Sequence, residues 1–195
     1  MAQKLILPIN RCKLTASMKT AAYLSRYGYN HYGADMVSAA GAPNVYAGGN
    51  GTVVAAGWDN VVGNVVAVRY NGAQNHATGE EADLILRYFH LASISVRSGQ
   101  AVDKDTVLGR YGCTGMLAMA PHLHLEADTD VAYPLYSPTV RSSNLIRGTA
   151  RGAHDRTVRH PMEFLHCKPG APDRQTYATA ENAYIRGADK RIPCV

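Results

Sequence analysis

The sequence predicts a mainly β fold: a domain of short antiparallel strands with loop-rich termini. Three observations carry this. Clusters of Val, Ile and Leu lie between Gly and Asn punctuation along the middle of the chain. These clusters recur about every dozen residues without helical periodicity between them, the pattern of an all-β or β-dominated domain. A composition with 18 Gly and 12 Tyr suits strands joined by tight turns better than long helices.

Taken in order, residues 1–27 read as an irregular lead-in; the periodicity of 13–27 is mixed and selects neither helix nor strand. The main domain is expected over 28–167. Its first clear strand is Thr52–Ala56, bounded by Gly51 and Gly57. The next is Asn64–Tyr70, ending at Asn71-Gly72, and Asp83–His90 follows. Residues 74–81 read as a polar loop, and Ser98-Gly99-Gln100 and Gly112-Cys113-Thr114-Gly115 as turns. His122–Ala127 alternates like a strand. Residues 128–160, polar and rich in Ser, Thr, Arg and Gly, read as a long loop. A short helix is expected at 161–166, with Pro161 in its first turn. Residues 168–195 form a polar tail.

Length and composition place limits on function. The 195 residues suffice for one core-forming domain, and 46% hydrophobic with 18% charged residues argues against a disordered chain. A formal net charge of +5 draws a protein to polyanions, whether nucleic acid, anionic lipid or acidic wall polymers, or simply aids solubility, and charge alone does not choose among them. No basic run with interleaved aromatics and no recognition helix is visible, which argues against nucleic acid. No apolar stretch is long enough for a transmembrane segment. Met1–Pro8 lacks the pattern of a secretory signal, so another export route is expected if the target lies outside the cell. The four Cys (12, 113, 167 and 194) show no C-x-x-C spacing, so a cysteine zinc knuckle is not expected. Cys113 is expected as a free thiol near the site. Cys167 with Cys194 is the favoured pair, and Cys12 the alternative partner for either.

The chemistry-bearing residues are His31, Asp35, His90, His122 and His124. In His122-Leu123-His124 the two imidazoles sit at i and i+2 of a strand and share one face, while Leu123 and Leu125 turn to the core. Two imidazoles on one face suit a divalent metal, although an H-x-H pair alone is weak evidence. His31-Tyr32-Gly33-Ala34-Asp35 adds an imidazole and a carboxylate; read alone, it is equally a solvated His and an exposed Asp. Together the pieces supply N, N and O ligands, which is what catalytic zinc takes while leaving a position open for water. Glu126 shares the face of the two imidazoles by parity. It is either an acceptor orienting one of them or a strand-end carboxylate in solvent. His76, His154, His160 and His166 read as surface or structural residues.

The ordered set Asn30-His-Tyr-Gly-Ala-Asp-Met36, Tyr88-Phe89-His90-Leu91, the stretch 96–115 and Pro121-His-Leu-His-Leu-Glu126 resembles the lysostaphin/LytM zinc endopeptidases of peptidase family M23. The resemblance runs along roughly residues 28–127, with a weaker echo at Pro161–Leu165. It implies an antiparallel β-sheet domain whose sheet floors a substrate groove walled by loops. It implies that His31, Asp35 and His124 hold one Zn2+ per chain. His122 then looks like the general base for a zinc-activated water, and His90 like a second catalytic histidine beside the attacking water or the developing oxyanion. The implied activity is endopeptidase cleavage of cross-bridge or stem peptides in bacterial peptidoglycan, at the extracellular or periplasmic face of the wall. Phage or prophage endolysins are one such group. A catalytically inactive M23-like scaffold or activator of wall hydrolases is the alternative; such relatives lose metal ligands, whereas the full set is present here. Cys113 stands where the family more often has Ser or Asn, and 128–160 is long for the family's closing segment.

Overall fold

In a computed structural model of the chain, the described residues are 2–116, 119–135, 155–167 and 177–184. The N-terminal segment is not an irregular lead-in. It forms β1 (Leu5–Ile6), β2 (Cys12–Ala16) and the helix α1 (Ala21–Tyr27). Cys12, Leu14 and Ala16 are buried while Lys13 and Thr15 are half-exposed, the two-residue period of a strand. Thr20 caps α1 by accepting from Tyr23 N at 3.3 Å, and Gly28, at φ 78°, ends it with its N–H donating to Leu24 O. The helix buries none of its residues, so no apolar stripe announces it in the sequence.

The chain continues through β3 (Ala34–Ser38), β4 (Asn44–Tyr46), β5 (Gly51–Asp59), β6 (Gly63–Gln74), β7 (Glu81–Ile94), β8 (Ala101–Val102), β9 (Val107–Tyr111) and β10 (Leu123–Asp128). After the long loop come β11 (Val158–Arg159), a 3-10 turn at Pro161–Glu163, β12 (Leu165–His166) and β13 (Tyr177–Tyr184). The fold is therefore mainly antiparallel β. The main sheet has the order β13-β2-β3-β10-β7-β6-β5-β8, with β9 joined to β7 and β4, and β11 to β10. Parallel pairing occurs at β13 with β2, and in the separate pair of β1 with β12.

The strands expected at 52–56, 64–70 and 83–90 are present but longer, because pairing extends them past the apolar clusters, and the one expected at 122–127 is β10, shifted by one residue. The helix expected over 161–166 is a single 3-10 turn followed by a strand. Of the loop at 128–160, the described ends return to the sheet: β11 pairs with β10, and Thr129 Oγ1 donates to Thr157 O at 3.0 Å. Its middle lies outside the described residues. The polar tail at 168–195 contributes β13 beside β2, so part of it belongs to the main sheet.

One face of the sheet carries the apolar core, including Leu14, Met36, Leu86, Tyr88, Leu123 and Leu125, all fully buried. Alternation sends the neighbours of these residues to the opposite face. That second face, over the central strands β3, β10 and β7, is where the polar residues gather. Cys12 is a free thiol inside the core, pushed up to about 12 by burial and then by the nearby Cys167. Cys113 is a free thiol as expected, but it is exposed rather than packed. Cys194 lies outside the described residues. His160 and His166 are buried structural residues: Met162 N donates to His160 Nδ1 at 3.2 Å, and His166 Nδ1 donates to Leu5 O at 3.1 Å. His154 lies outside the described residues.

Candidate metal centre and active site

Three segments far apart in sequence meet on the second face of the sheet. Strand pairing sets Asp35 of β3 opposite His124 of β10, and Phe89 of β7 on the other side of His124. His31 enters from the connection between α1 and β3. His31 Nε2 lies 3.0 Å from Asp35 Oδ1 and 3.0 Å from His124 Nδ1, and His124 Nδ1 lies 2.8 Å from Asp35 Oδ1. Among the described residues, this is the group of His, Cys, Asp or Glu whose ligand atoms converge closely enough to hold a metal ion. His31 and His124 are buried, and Asp35 is half-buried.

The far side of each imidazole is already committed. His31 Nδ1 donates to Ser17 O at 3.0 Å, and His124 Nε2 faces Glu126 Oε1 at 3.4 Å. Those partners assign the proton to the outer nitrogen of each ring. The inner nitrogens converge with a carboxylate oxygen, an arrangement that calls for positive charge among the three atoms: a proton shared with Asp35 in the metal-free protein, or a metal cation in its place. The donor set therefore fits zinc, with two imidazoles, one carboxylate and outer acceptors fixing each ring. Phe89 stacks on His124 with ring planes 1° apart and centroids 5.5 Å apart, which holds the imidazole orientation by packing as well. Gly33 is required by closeness: a Cβ there would meet Leu125 O and come within 2.7 Å of His124 Nε2.

His122 and His90 stand beside this group. His122 Nδ1 donates to Ala120 O at 2.8 Å, which leaves Nε2 facing Asp35 Oδ1 at 3.5 Å. Its side chain retains 14% exposure, so solvent reaches it while the imidazoles of His31 and His124 are sealed. His90 sits in a β-bulge. Asn64 pairs with Leu91 and Val66 with Tyr88, so Phe89 and His90 together oppose Val65. His90 takes φ 61°, an uncommon conformation for a residue with a Cβ. Its Nδ1 donates to Thr114 O at 2.9 Å, and its ring centroid lies 5.2 Å from that of His122.

The electrostatics follow from this crowding. Burial would raise Asp35, but the charges of His31 and His122, with hydrogen bonds from His124 and His31, hold it well below the usual carboxylate range. Burial opposes charge on His124 too, yet hydrogen bonds to Asp35 and Glu126 and their charges raise it to about 9 in the metal-free protein. His90 moves the other way, down to about 4, through burial first and then the neighbouring His124 and His122. It is neutral at pH 7, so the resting protein has no protonated imidazole at that position.

The five residues singled out in the sequence thus come together in one place. Two further features join them. Glu126 is fully buried against His124, so its solvent-facing reading is excluded. Arg87, also fully buried, lies directly opposite Glu126 in the β7–β10 register. Its signal in the sequence is a charge inside the apolar run Leu84-Ile-Leu-Arg-Tyr-Phe89. On the other side of the centre, Tyr23 of α1 stacks on His31 at 4.7 Å and begins a tyrosine cluster with Tyr27 and Tyr29. Residues 29–133 match the sequence pattern of peptidase family M23, more than half of the chain.

The chain belongs to peptidase family M23. The M23 match brackets all five site residues, from His31 to His124. Similar proteins include the peptidoglycan DD-endopeptidase ShyB of Vibrio cholerae, 33% identical over 96 residues, which span 49% of this chain and 20% of ShyB. ShyC of the same organism is 31% identical over a stretch of the same length, 19% of its own chain. The chain thus spans about a fifth of the curated relatives it matches. Among solved structures, the antimicrobial peptidase lysostaphin of Staphylococcus simulans is similar with a TM-score of 0.53 and 26% identity, over 80% of this chain and 50% of that one.

Proposed function

We propose that this M23 protein is a zinc-dependent endopeptidase that hydrolyses peptide bonds in bacterial peptidoglycan, acting at the outer or periplasmic face of the wall. The observation that carries the reading is the convergence of His31 Nε2, Asp35 Oδ1 and His124 Nδ1, with the outer nitrogen of each imidazole held by an oxygen acceptor. Those three residues would hold one zinc ion per chain. When bound, zinc supplies Lewis acidity toward a carbonyl and lowers the pKa of water to about 7.

The remaining steps belong to side chains. His122 presents Nε2 next to the metal group while its other nitrogen is tied to Ala120 O. It accepts a proton from the attacking water and returns it to the leaving amine. His90, kept neutral by burial and with Nδ1–H committed to Thr114 O, offers Nε2 as an acceptor. That favours orienting the attacking water over stabilising the oxyanion, which would need a proton on the same nitrogen. Asp35, held ionised, supplies the negative charge that a dication needs among two neutral rings.

The name of the Vibrio relatives makes a D,D-peptide bond the first bond to test. Zinc-loaded protein should release muropeptides with that bond opened from purified peptidoglycan, with loss of release on chelation and recovery on zinc addition; mass spectrometry reads the products. An inactive scaffold would release none from any wall type. The complete ligand set, together with His122 and His90, favours the enzyme.

A further inference from the structure

We infer that Arg87 is a positioning residue for the metal centre, acting through Glu126 on the ligand His124; this rests on the zinc reading above. Arg87 and Glu126 are cross-strand partners in the β7–β10 register, with both side chains fully buried. Arg87 Nη1 stands 3.9 Å from Glu126 Oε2, an ion pair rather than a hydrogen bond. The other carboxylate oxygen, Oε1, faces His124 Nε2 at 3.4 Å. Arg87 Nη2 is anchored to Asp128 Oδ2 at 2.8 Å. The guanidinium is further fixed by Nε donating to Pro134 O at 3.3 Å and Nη2 donating to Tyr133 O at 3.4 Å. A polar chain therefore runs from the backbone of Tyr133 and Pro134, through Arg87 and Glu126, to the ring that would hold zinc.

Stability alone gives little reason for such an arrangement. Well-packed apolar residues of similar volume often serve as well as or better than a buried ion pair. Along its own strand Arg87 shares a face with Ile85 and Phe89, so the charge stands in an otherwise apolar row and meets its partners, Glu126 and Asp128, only on the neighbouring strand. What an apolar residue could not do is hold the Glu126 carboxylate by one oxygen so that the other faces His124. That contact holds the ring with Nε2 toward Glu126 and therefore Nδ1 toward Asp35 and His31. The planar guanidinium fork suits the task, since it engages two carboxylates and two carbonyls in one fixed geometry.

The test is zinc affinity of the full chain, measured by competition with a chromophoric chelator, with folding monitored by circular dichroism. The variants are Arg87→Met, Arg87→Lys, Glu126→Gln and the double Arg87→Met/Glu126→Gln, with wild type and His124→Ala as references. Arg87→Met and Glu126→Gln should each weaken zinc binding about 10–100-fold, the usual range for a partner behind a ligand. The double variant should be no more than about threefold weaker than the weaker single, because the two act in series. Arg87→Lys, which keeps the charge but not the fork, should bind zinc more tightly than Arg87→Met and less tightly than wild type. A folded Arg87→Met that binds zinc like wild type overturns the proposal. So does a Glu126→Gln that binds like wild type, or an Arg87→Lys as weak as Arg87→Met, since restored charge cannot repair a packing loss. If Arg87→Met does not fold, Glu126→Gln decides by the same criterion. Should wild type bind no zinc, or His124→Ala bind it equally well, the zinc reading fails and the proposal with it. Failure of Arg87 alone leaves those two references as expected.

Discussion

His122 and His124 are two residues apart on one strand face, yet the proposed mechanism gives them different work, and substitution by Ala should separate them. His124 Nδ1 lies within 3.0 Å of both other ligand atoms and its ring is sealed, whereas His122 Nε2 reaches only Asp35, at 3.5 Å, and stays partly wet. Four-ligand zinc sites bind with about 10–16 kcal/mol, so losing one protein ligand costs roughly 3 kcal/mol, or two to three powers of ten in affinity. His124→Ala should therefore weaken zinc by about 10²–10³-fold and abolish hydrolysis at ordinary zinc levels. His122→Ala removes no ligand: zinc should stay bound while turnover falls about 10²–10⁴-fold, the range for a lost acid–base group. His90→Ala should resemble His122→Ala, and His31→Ala and Asp35→Ala should resemble His124→Ala. The assay is zinc content and dye release from labelled peptidoglycan on the same purified, folded variants. Loss of zinc from His122→Ala with retention by His124→Ala would reverse the assignment of ligand and base.

Because His124 titrates near 9 without metal, zinc must displace a proton; affinity should rise about tenfold per pH unit from roughly 6.5 to 9 and then level off. By the same linkage, the raised His124 stabilises the metal-free fold fully below 6.5, and this is lost as pH rises through 9, so the thermal midpoint of the apo protein should fall over that interval. A zinc affinity independent of pH would contradict both. Gly33→Ala should destabilise by about 1–3 kcal/mol and weaken zinc, because the backbone carbonyl of Leu125 cannot retreat from a Cβ. Gly57→Ala, with open space around its Cβ, should change stability by no more than about 0.5 kcal/mol in the same melts. The +5 charge predicts that wall binding in pull-down assays weakens between 0.1 M and 1 M salt, as the screening length drops from about 10 Å to about 3 Å; unchanged binding would remove electrostatics from the account.

Much of the site is legible in the amino-acid sequence. The order and spacing of the His and Asp motifs carry the family, and strand parity alone puts His122, His124 and Glu126 on one face with Leu123 and Leu125 on the other. The N-terminal elements are not legible. Once β2 is known, its alternation is visible over five residues, but Lys13 and Thr15 dilute it, and α1 has no buried face to give it a period. Arg87 does not stand out either, because a single charge in an apolar run has no meaning until its strand partner is known.

What the sequence determined by itself is what covalent geometry determines locally. A strand alternates its side chains, so an H-x-H pair shares a face wherever the strand lies. What only the tertiary structure decided is pairing between segments distant in the chain. The β3–β10 register puts Asp35 opposite His124 across 89 residues of sequence, and the β10–β7 register puts Arg87 opposite Glu126. Neither register is encoded in the local period, since a slip of one residue would keep every strand's alternation yet turn the ligands to the core. The bulge in β7 is of the same kind. It exists only where β7 carries one residue more than β6 between paired positions, and the φ of 61° it imposes on His90 is held by Thr114 and Val62 from other parts of the chain.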